Sequence, residues 1–184
     1  MTIINIDNLT LRPIKETDAP RIAELCNDLT LTRNTSRLPY PYTLDYAQSF
    51  VARAVREFAE GKEYRFGVCQ NKTLVACISV MRSEDRAFEL GYWVGAEARG
   101  KGVATNAATA IAQFAFEQHG ATSINAGYFA DNPASARVLE KLGFKATGEI
   151  VQTMSLARGE AADTVRLTLA PENFVCSQSV CITL

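Results

Sequence analysis

Three groups of residues in this sequence have the types and spacing to do chemistry. The first is a glycine-rich turn, Arg99-Gly-Lys-Gly-Val-Ala-Thr105, with Gly95 just upstream. It follows a strand pattern in which Phe88, Leu90, Tyr92 and Val94 point one way and Glu89, Gly91 and Trp93 the other. It precedes a helix pattern carried by Val103, Ala107, Ile111, Phe114 and Ala115. A loop that feeds a helix N-terminus presents unpaired backbone N–H groups and the positive end of the helix dipole, which together bind phosphate. Glycines let the backbone approach such a ligand, and Arg99 and Lys101 add positive charge. The second group is one residue, Glu89, a carboxylate of the right type to accept a proton. Its neighbours Gly91 and Trp93 suggest partly apolar surroundings that would strengthen its hold on that proton. The third is Asn132-Pro-Ala-Ser135, where Asn132 is expected to cap a helix and Pro133 to occupy its first position. Ser135 then falls in the first turn, where the dipole favours negative charge.

Two known phosphate loops compete for the glycine stretch. The nucleotide loop G-x-x-x-x-G-K-[ST] fits from Gly95 to Lys101 but meets Gly102 where its magnesium-binding Ser or Thr belongs. The pattern R/Q-x-x-G-x-G/A is satisfied in full by Arg99, Gly102 and Ala104. The plainest alternative is a strand–loop–helix joint with glycines for turning. The second pattern is the pyrophosphate loop of acetyl-CoA-dependent acetyltransferases, and here the chain resembles the GNAT N-acetyltransferase superfamily. Asn132-Pro-Ala-Ser-Ala-Arg-Val-Leu-Glu-Lys-Leu-Gly-Phe144 resembles that family's second signature, N-x-x-S…L-x-K-x-G-F, at the expected separation. Leu11-Arg12-Pro13-Ile14…Asp18 and Glu89-Leu-Gly-Tyr-Trp93 are similar to the branch that acetylates ribosomal-protein N-termini, the RimJ/RimL type. The resemblance covers about residues 8 to 169.

The resemblance implies acyl transfer from a thioester to a primary amine, by direct attack and without a covalent enzyme intermediate. It implies a pyrophosphate site at Arg99, Gly100, Lys101, Gly102, Val103, Ala104 and Thr105. It also implies a central strand splayed from its neighbour, which frees backbone groups of Tyr92, Trp93 and Val94 for the pantetheine arm and the thioester carbonyl. Asn132 would bond that arm and Ser135 the leaving sulfur, with Tyr128 as a rival donor. Arg137 and Lys141 either reach the cofactor's phosphates or face solvent. Glu89 is the candidate general base, acting directly or through water, against the simpler reading of an ion-paired strand carboxylate. The acceptor is open between a protein N-terminal α-amine and a small amine such as an amino acid or antibiotic. A non-catalytic acyl-CoA-binding module is the alternative from another functional class. Some members of the superfamily are homodimers, and the sequence leaves the assembly open.

Composition fits an enzyme of this kind. The chain has 184 residues and a formal net charge of −1, without the basic excess of a nucleic-acid-binding protein. No apolar run is long enough to span a membrane, and the start of the chain does not read as a signal peptide, so a cytoplasmic protein is expected. Cys26, Cys69 and Cys77 read as buried thiols, while Cys176 and Cys181 in the tail lack partners for a metal site. No metal is expected. His119 is expected to sit as a cation at a helix end.

These groups need a scaffold, and the patterns supply one. Residues 2–12 read as a first strand. Asp18 is expected to cap a helix over 19–27, and Asp45 another that closes at Gly61. The irregular stretch Thr30–Thr43, with Tyr40 and Tyr42 between prolines, borders either an acceptor pocket or only the core. Strands follow over 65–69, 73–81 and 88–94, then the helix from Val103, a strand over 123–129, the helix from Asn132, and a final hairpin over 144–169. The tail from 170 either frays or adds an edge strand. The expected fold is α/β (α+β), a single domain with a mixed, mostly antiparallel sheet and helices on both faces. That is also the element order of the GNAT fold.

Overall fold

The computed structural model describes residues 2–176 and 178–184. Nine strands form one sheet, in the order β7-β8-β6-β5-β4-β3-β2-β1-β9. They are β1 (Ile3–Ile6), β2 (Leu9–Pro13), β3 (Glu63–Gln70), β4 (Thr73–Arg82), β5 (Ala87–Val94), β6 (Ser123–Phe129), β7 (Lys145–Ser155), β8 (Glu160–Leu169) and β9 (Val180–Thr183). Every described pairing is antiparallel except β5 with β6. The helices are α1 (Ala19–Cys26), α2 (Leu29–Thr32), α3 (Leu44–Ala59), α4 (Val103–His119) and α5 (Pro133–Leu142). The mixed, mostly antiparallel sheet with helices on both faces is the fold class that the sequence patterns imply.

Each face of the sheet has its own core. Phe66, Ile78, Phe88 and Ile124 pack against Ile111 and Phe114 of α4 and Leu139 and Leu142 of α5. On the other face, Cys77 and Trp93 pack with Ile22 and Leu25 of α1 and Ala47 and Val51 of α3. β4 lies mid-sheet and is buried over most of its length, so its apolar run reflects cover from both sides.

Several local expectations need correction. The first strand is a hairpin, β1 and β2, turned at Asp7 (φ 51°). The Asp18 side chain does not cap α1; it accepts from Arg12 Nη1 and Nη2 at 2.8 and 2.7 Å and from the Lys15 N–H at 2.9 Å. Thr43, not Asp45, caps α3 by accepting from the Tyr46 N–H. His119 does not act as a helix-end cation. Its ring stacks on Tyr64 at 4.2 Å, and burial, followed by the charge of Arg82, lowers its pKa. Gly120, with φ 59°, ends α4, as its place just past the helix pattern implies. The tail adds the edge strand, β9 pairing with β1.

Candidate active site

The site is a consequence of one short pairing. β5 and β6 pair only at Ala87↔Ser123, Phe88↔Ile124 and Glu89↔Asn125. Beyond Glu89 the two strands diverge, because β6 continues along β8 while β5 stays with β4. The fork opens a cleft of about 1230 Å³ that passes between the two faces of the sheet. Past the fork, the β6-facing backbone groups of Leu90 to Val94 have no strand partner; Arg99 Nε occupies the Val94 carbonyl, and the remaining groups are open to a ligand.

On the α4/α5 face the cleft ends at the glycine loop. Gly100 and Gly102 hold φ of 73° and 78°, which an L residue adopts only with strain. A Cβ on either would meet nothing within 4 Å, so the space above the loop is open. Among the described residues no backbone carbonyl accepts from the N–H groups of 100–105, and the first loop-to-helix bond is Asn106 N–H to Gly102 C=O. Free N–H groups at the start of a 17-residue helix are what a pyrophosphate needs. Gly100, Gly102, Val103, Ala104 and Thr105 line the cleft, whereas Lys101 is exposed and outside its lining. Arg99 borders the cleft, but its guanidinium is engaged: Nη2 donates to Asp28 at 2.6 Å and Nε to the Val94 carbonyl at 3.1 Å. Arg99 therefore ties the loop to the end of β5 and to the cap of α2.

Asn132 caps α5, its Oδ1 accepting from the Ser135 N–H at 3.3 Å. This turns the Ser135 hydroxyl toward the fork, where it lies 2.7 Å from the Tyr92 hydroxyl. Burial pushes the Tyr92 phenol up and the Ser135 bond pulls it back in part. The net shift is upward, so the phenol stays a neutral donor at ordinary pH. The sequence patterns mark Tyr92 only through its backbone; its hydroxyl is an addition of the structure, although the period-two phase of β5 puts the ring on the face of the α5 helix. Tyr128 also lines the cleft, and so do Arg137 and Lys141 of α5. Trp93 lines it too, but its indole is buried in the α1/α3 core.

On the α1/α3 face the cleft is lined by a row of side chains from adjacent strands: Glu63 and Arg65 on β3, Ser79 on β4 and Glu89 on β5. Glu89 is held by Arg166 of β8, with two parallel bonds of 2.8 Å to its two oxygens. The guanidinium reaches it by crossing Gly127 of β6. A Cβ at Gly127 would lie 2.9 Å from Arg166 Nη1 and 2.9 Å from Thr164 Cγ2. The expected apolar setting of Glu89 is thus an ion pair, and the partner comes from a strand 77 residues away in the chain. Glu63 is likewise engaged: Arg65 Nη2 donates to one oxygen and Ser79 Oγ to the other at 2.7 Å. Of the two tyrosines in the 30–43 stretch, Tyr42 is buried and lines the cleft, and Tyr40 is exposed outside it.

No group of three or more His, Cys, Asp or Glu that could hold a metal occurs among the described residues, and no described helix is long and apolar enough to cross a membrane.

Known proteins resemble this chain in sequence and fold. The acetyltransferase (GNAT) domain family matches residues 8–145. YoaA of Bacillus subtilis (strain 168), named an uncharacterized N-acetyltransferase, is 28% identical over 156 residues, covering 83% of this chain and 88% of YoaA. Mycobacterium smegmatis RimJ in complex with CoA-disulfide superposes with a TM-score of 0.81 at 19% identity, covering 94% of this chain and 88% of RimJ. RimL, the ribosomal L7/L12 alpha-N-protein acetyltransferase, in complex with coenzyme A, superposes at 0.83 with 17% identity, covering 91% and 97%. The loop that leaves its N–H groups open, the forked strands and the matched domain lead to one assignment. This chain belongs to the GNAT acetyltransferases, enzymes that take their acetyl group from acetyl-CoA.

Proposed function

We propose that this enzyme acetylates a primary amine presented at the α1/α3 end of the fork, with a protein N-terminal α-amine as the preferred acceptor. The observation that carries the reading is the fork itself, which joins a phosphate-type loop on one face to a polar row on the other. The names of RimJ and RimL support the N-terminal acceptor. The cleft fits the cofactor: loop 100–105 offers N–H groups and open space to a pyrophosphate, and Arg137 and Lys141 offer charge to further phosphates. Acetyl-CoA, when bound there, supplies the acetyl group as a thioester.

The protein's own groups divide the remaining work. The freed backbone of β5 at 92–94 orients the pantetheine arm, and Asn132 holds α5 in register beside it. Glu89 takes the proton that the amine loses, directly or through one water, while Arg166 fixes the carboxylate's direction. The nitrogen–carbon bond forms as the carbon–sulfur bond breaks, and the departing sulfur receives a proton from the Ser135–Tyr92 pair. Tyr92 is the better acid of the two, since a phenol is far more acidic than an alcohol. The test is mass spectrometry of a peptide and metabolite panel after incubation with acetyl-CoA. α-Acetylated peptides are the expected products; acetylation of small amines alone would overturn the N-terminal reading.

A further inference from the structure

The charges on the acceptor side of the cleft are arranged in two zones. The deep zone is negative. Arg65, 4% exposed, lies between Glu63, itself 6% exposed, and Glu57, whose Oε2 accepts from Arg65 Nη1 at 2.6 Å. One guanidinium against two carboxylates leaves one surplus negative charge around Arg65, with Glu63 lining the cleft and Glu57 outside its lining. Glu89 adds nothing, since Arg166 matches it. The outer zone is positive. Tyr46, Ser49, Phe50 and Arg53 occur at i, i+3, i+4 and i+7 of α3, so they share the helix face that borders the cleft. Arg37, from the 33–43 loop, also lines the cleft. Both arginines are exposed, and among the described residues neither has a carboxylate within ion-pair distance.

Resting on the acetyltransferase reading above, we propose that Arg37 and Arg53 form an anion clamp, and that the acceptor is an amine with a carboxylate a few bonds away. Its ammonium enters toward Glu63 and Ser79, where the surplus negative charge lies. Its carboxylate stays at the mouth between the two guanidiniums. A polyamine would set its second ammonium against Arg37 and Arg53, so like-charge repulsion selects against it. The same chemistry is present in a peptide whose N-terminal residue is followed by Asp or Glu and in a free dicarboxylic amino acid.

The experiment compares kcat/KM for Ser-Glu-Glu-Ala, Ser-Gln-Gln-Ala and Ser-Lys-Lys-Ala, free glutamate and spermidine, in the parent and in the double variant Arg37→Glu/Arg53→Glu. In the parent, the Glu peptide should exceed the Gln peptide by about tenfold, the scale of a charge-assisted contact, and the Lys peptide by more. The double variant should reverse that order while KM for acetyl-CoA stays parental. Turnover of glutamate above the Glu peptide would identify a free amino acid as the source; the opposite ranking identifies a peptide. An order blind to charge, a preference for spermidine, or no turnover of any acidic amine by protein that still binds acetyl-CoA would each overturn the clamp. Failure to bind acetyl-CoA at all would overturn the acetyltransferase reading instead.

Discussion

Glu89 is the base in the proposed mechanism, and its two oxygens both face Arg166. A guanidinium in this position fixes the direction of the carboxylate through two parallel bonds. Glu89→Gln keeps the shape and removes the basicity. It should lower kcat by about 10²-fold, a usual size for acid–base catalysis, with acetyl-CoA affinity unchanged. Activity should recover as pH rises and the free amine becomes abundant. The check is the pH–rate profile, and a parental kcat at neutral pH would reduce the pair to a brace across the fork. Tyr92 and Ser135 form one hydrogen-bonded unit at 2.7 Å. Tyr92→Phe and Ser135→Ala should each lower kcat, and the double variant should cost little more than the worse single one, because groups that act together are not additive. Independent losses that multiply would separate their roles.

At the scale of elements, the loop and the fork make separate predictions. Gly102→Ala must adopt φ near 78° and so carries about 1 kcal/mol of strain, but its methyl group enters open space. Gly102→Glu carries the same strain plus a negative side chain where phosphate would lie. Calorimetric titration with CoA should show weak change for the first and loss of binding for the second. The Asp18–Arg12 pair braces β2 against α1. Burial alone would raise the Asp18 pKa, but the Arg12 bond and the Lys15 N–H outweigh it, and the net shift is downward. A lowered folded pKa means stability that is full above the ordinary carboxylate range and is lost as pH falls through the folded value. Asp18→Asn should therefore cost about 2 kcal/mol at pH 7 and progressively less in acid, as denaturant titration at several pH values would report.

The elements that the sequence revealed are those whose signals are local. Asn132-Pro133 and Gly143 bracket α5, Gly102 and Gly120 bracket α4, and β6 spans Ser123–Phe129 as its pattern implies. The β1–β2 turn was also legible in principle. The apolar phase runs Ile4, Ile6, then Leu9, Leu11, and that skipped beat marks the turn at Asp7-Asn8. What could not be read is long-range: Arg166 on Glu89 and Arg99 on Asp28 depend on strand order and on which segment crosses which. Gly127 carried the one sequence hint of the first, a glycine inside a strand where another group comes close.

For the molecule as a whole, the sheet separates stability from chemistry. The fork lies between β5 and β6, while the tail closes the far edge. β9 pairs with β1, and Phe174 packs on Phe116 of α4 at 5.6 Å. Removing residues 174–184 should lower Tm by roughly 5 °C, the shift expected for about 2 kcal/mol in a domain of this size, without changing CoA affinity. The central claim is acetyl transfer through the fork, and one assay tests it most directly. Parent and Gly102→Glu proteins are incubated with acetyl-CoA and N-terminal peptides, and the α-acetylated product is quantified by mass spectrometry. The account predicts product that accumulates with the parent and not with the variant. Equal product from both, or none from a parent that binds acetyl-CoA, would contradict it.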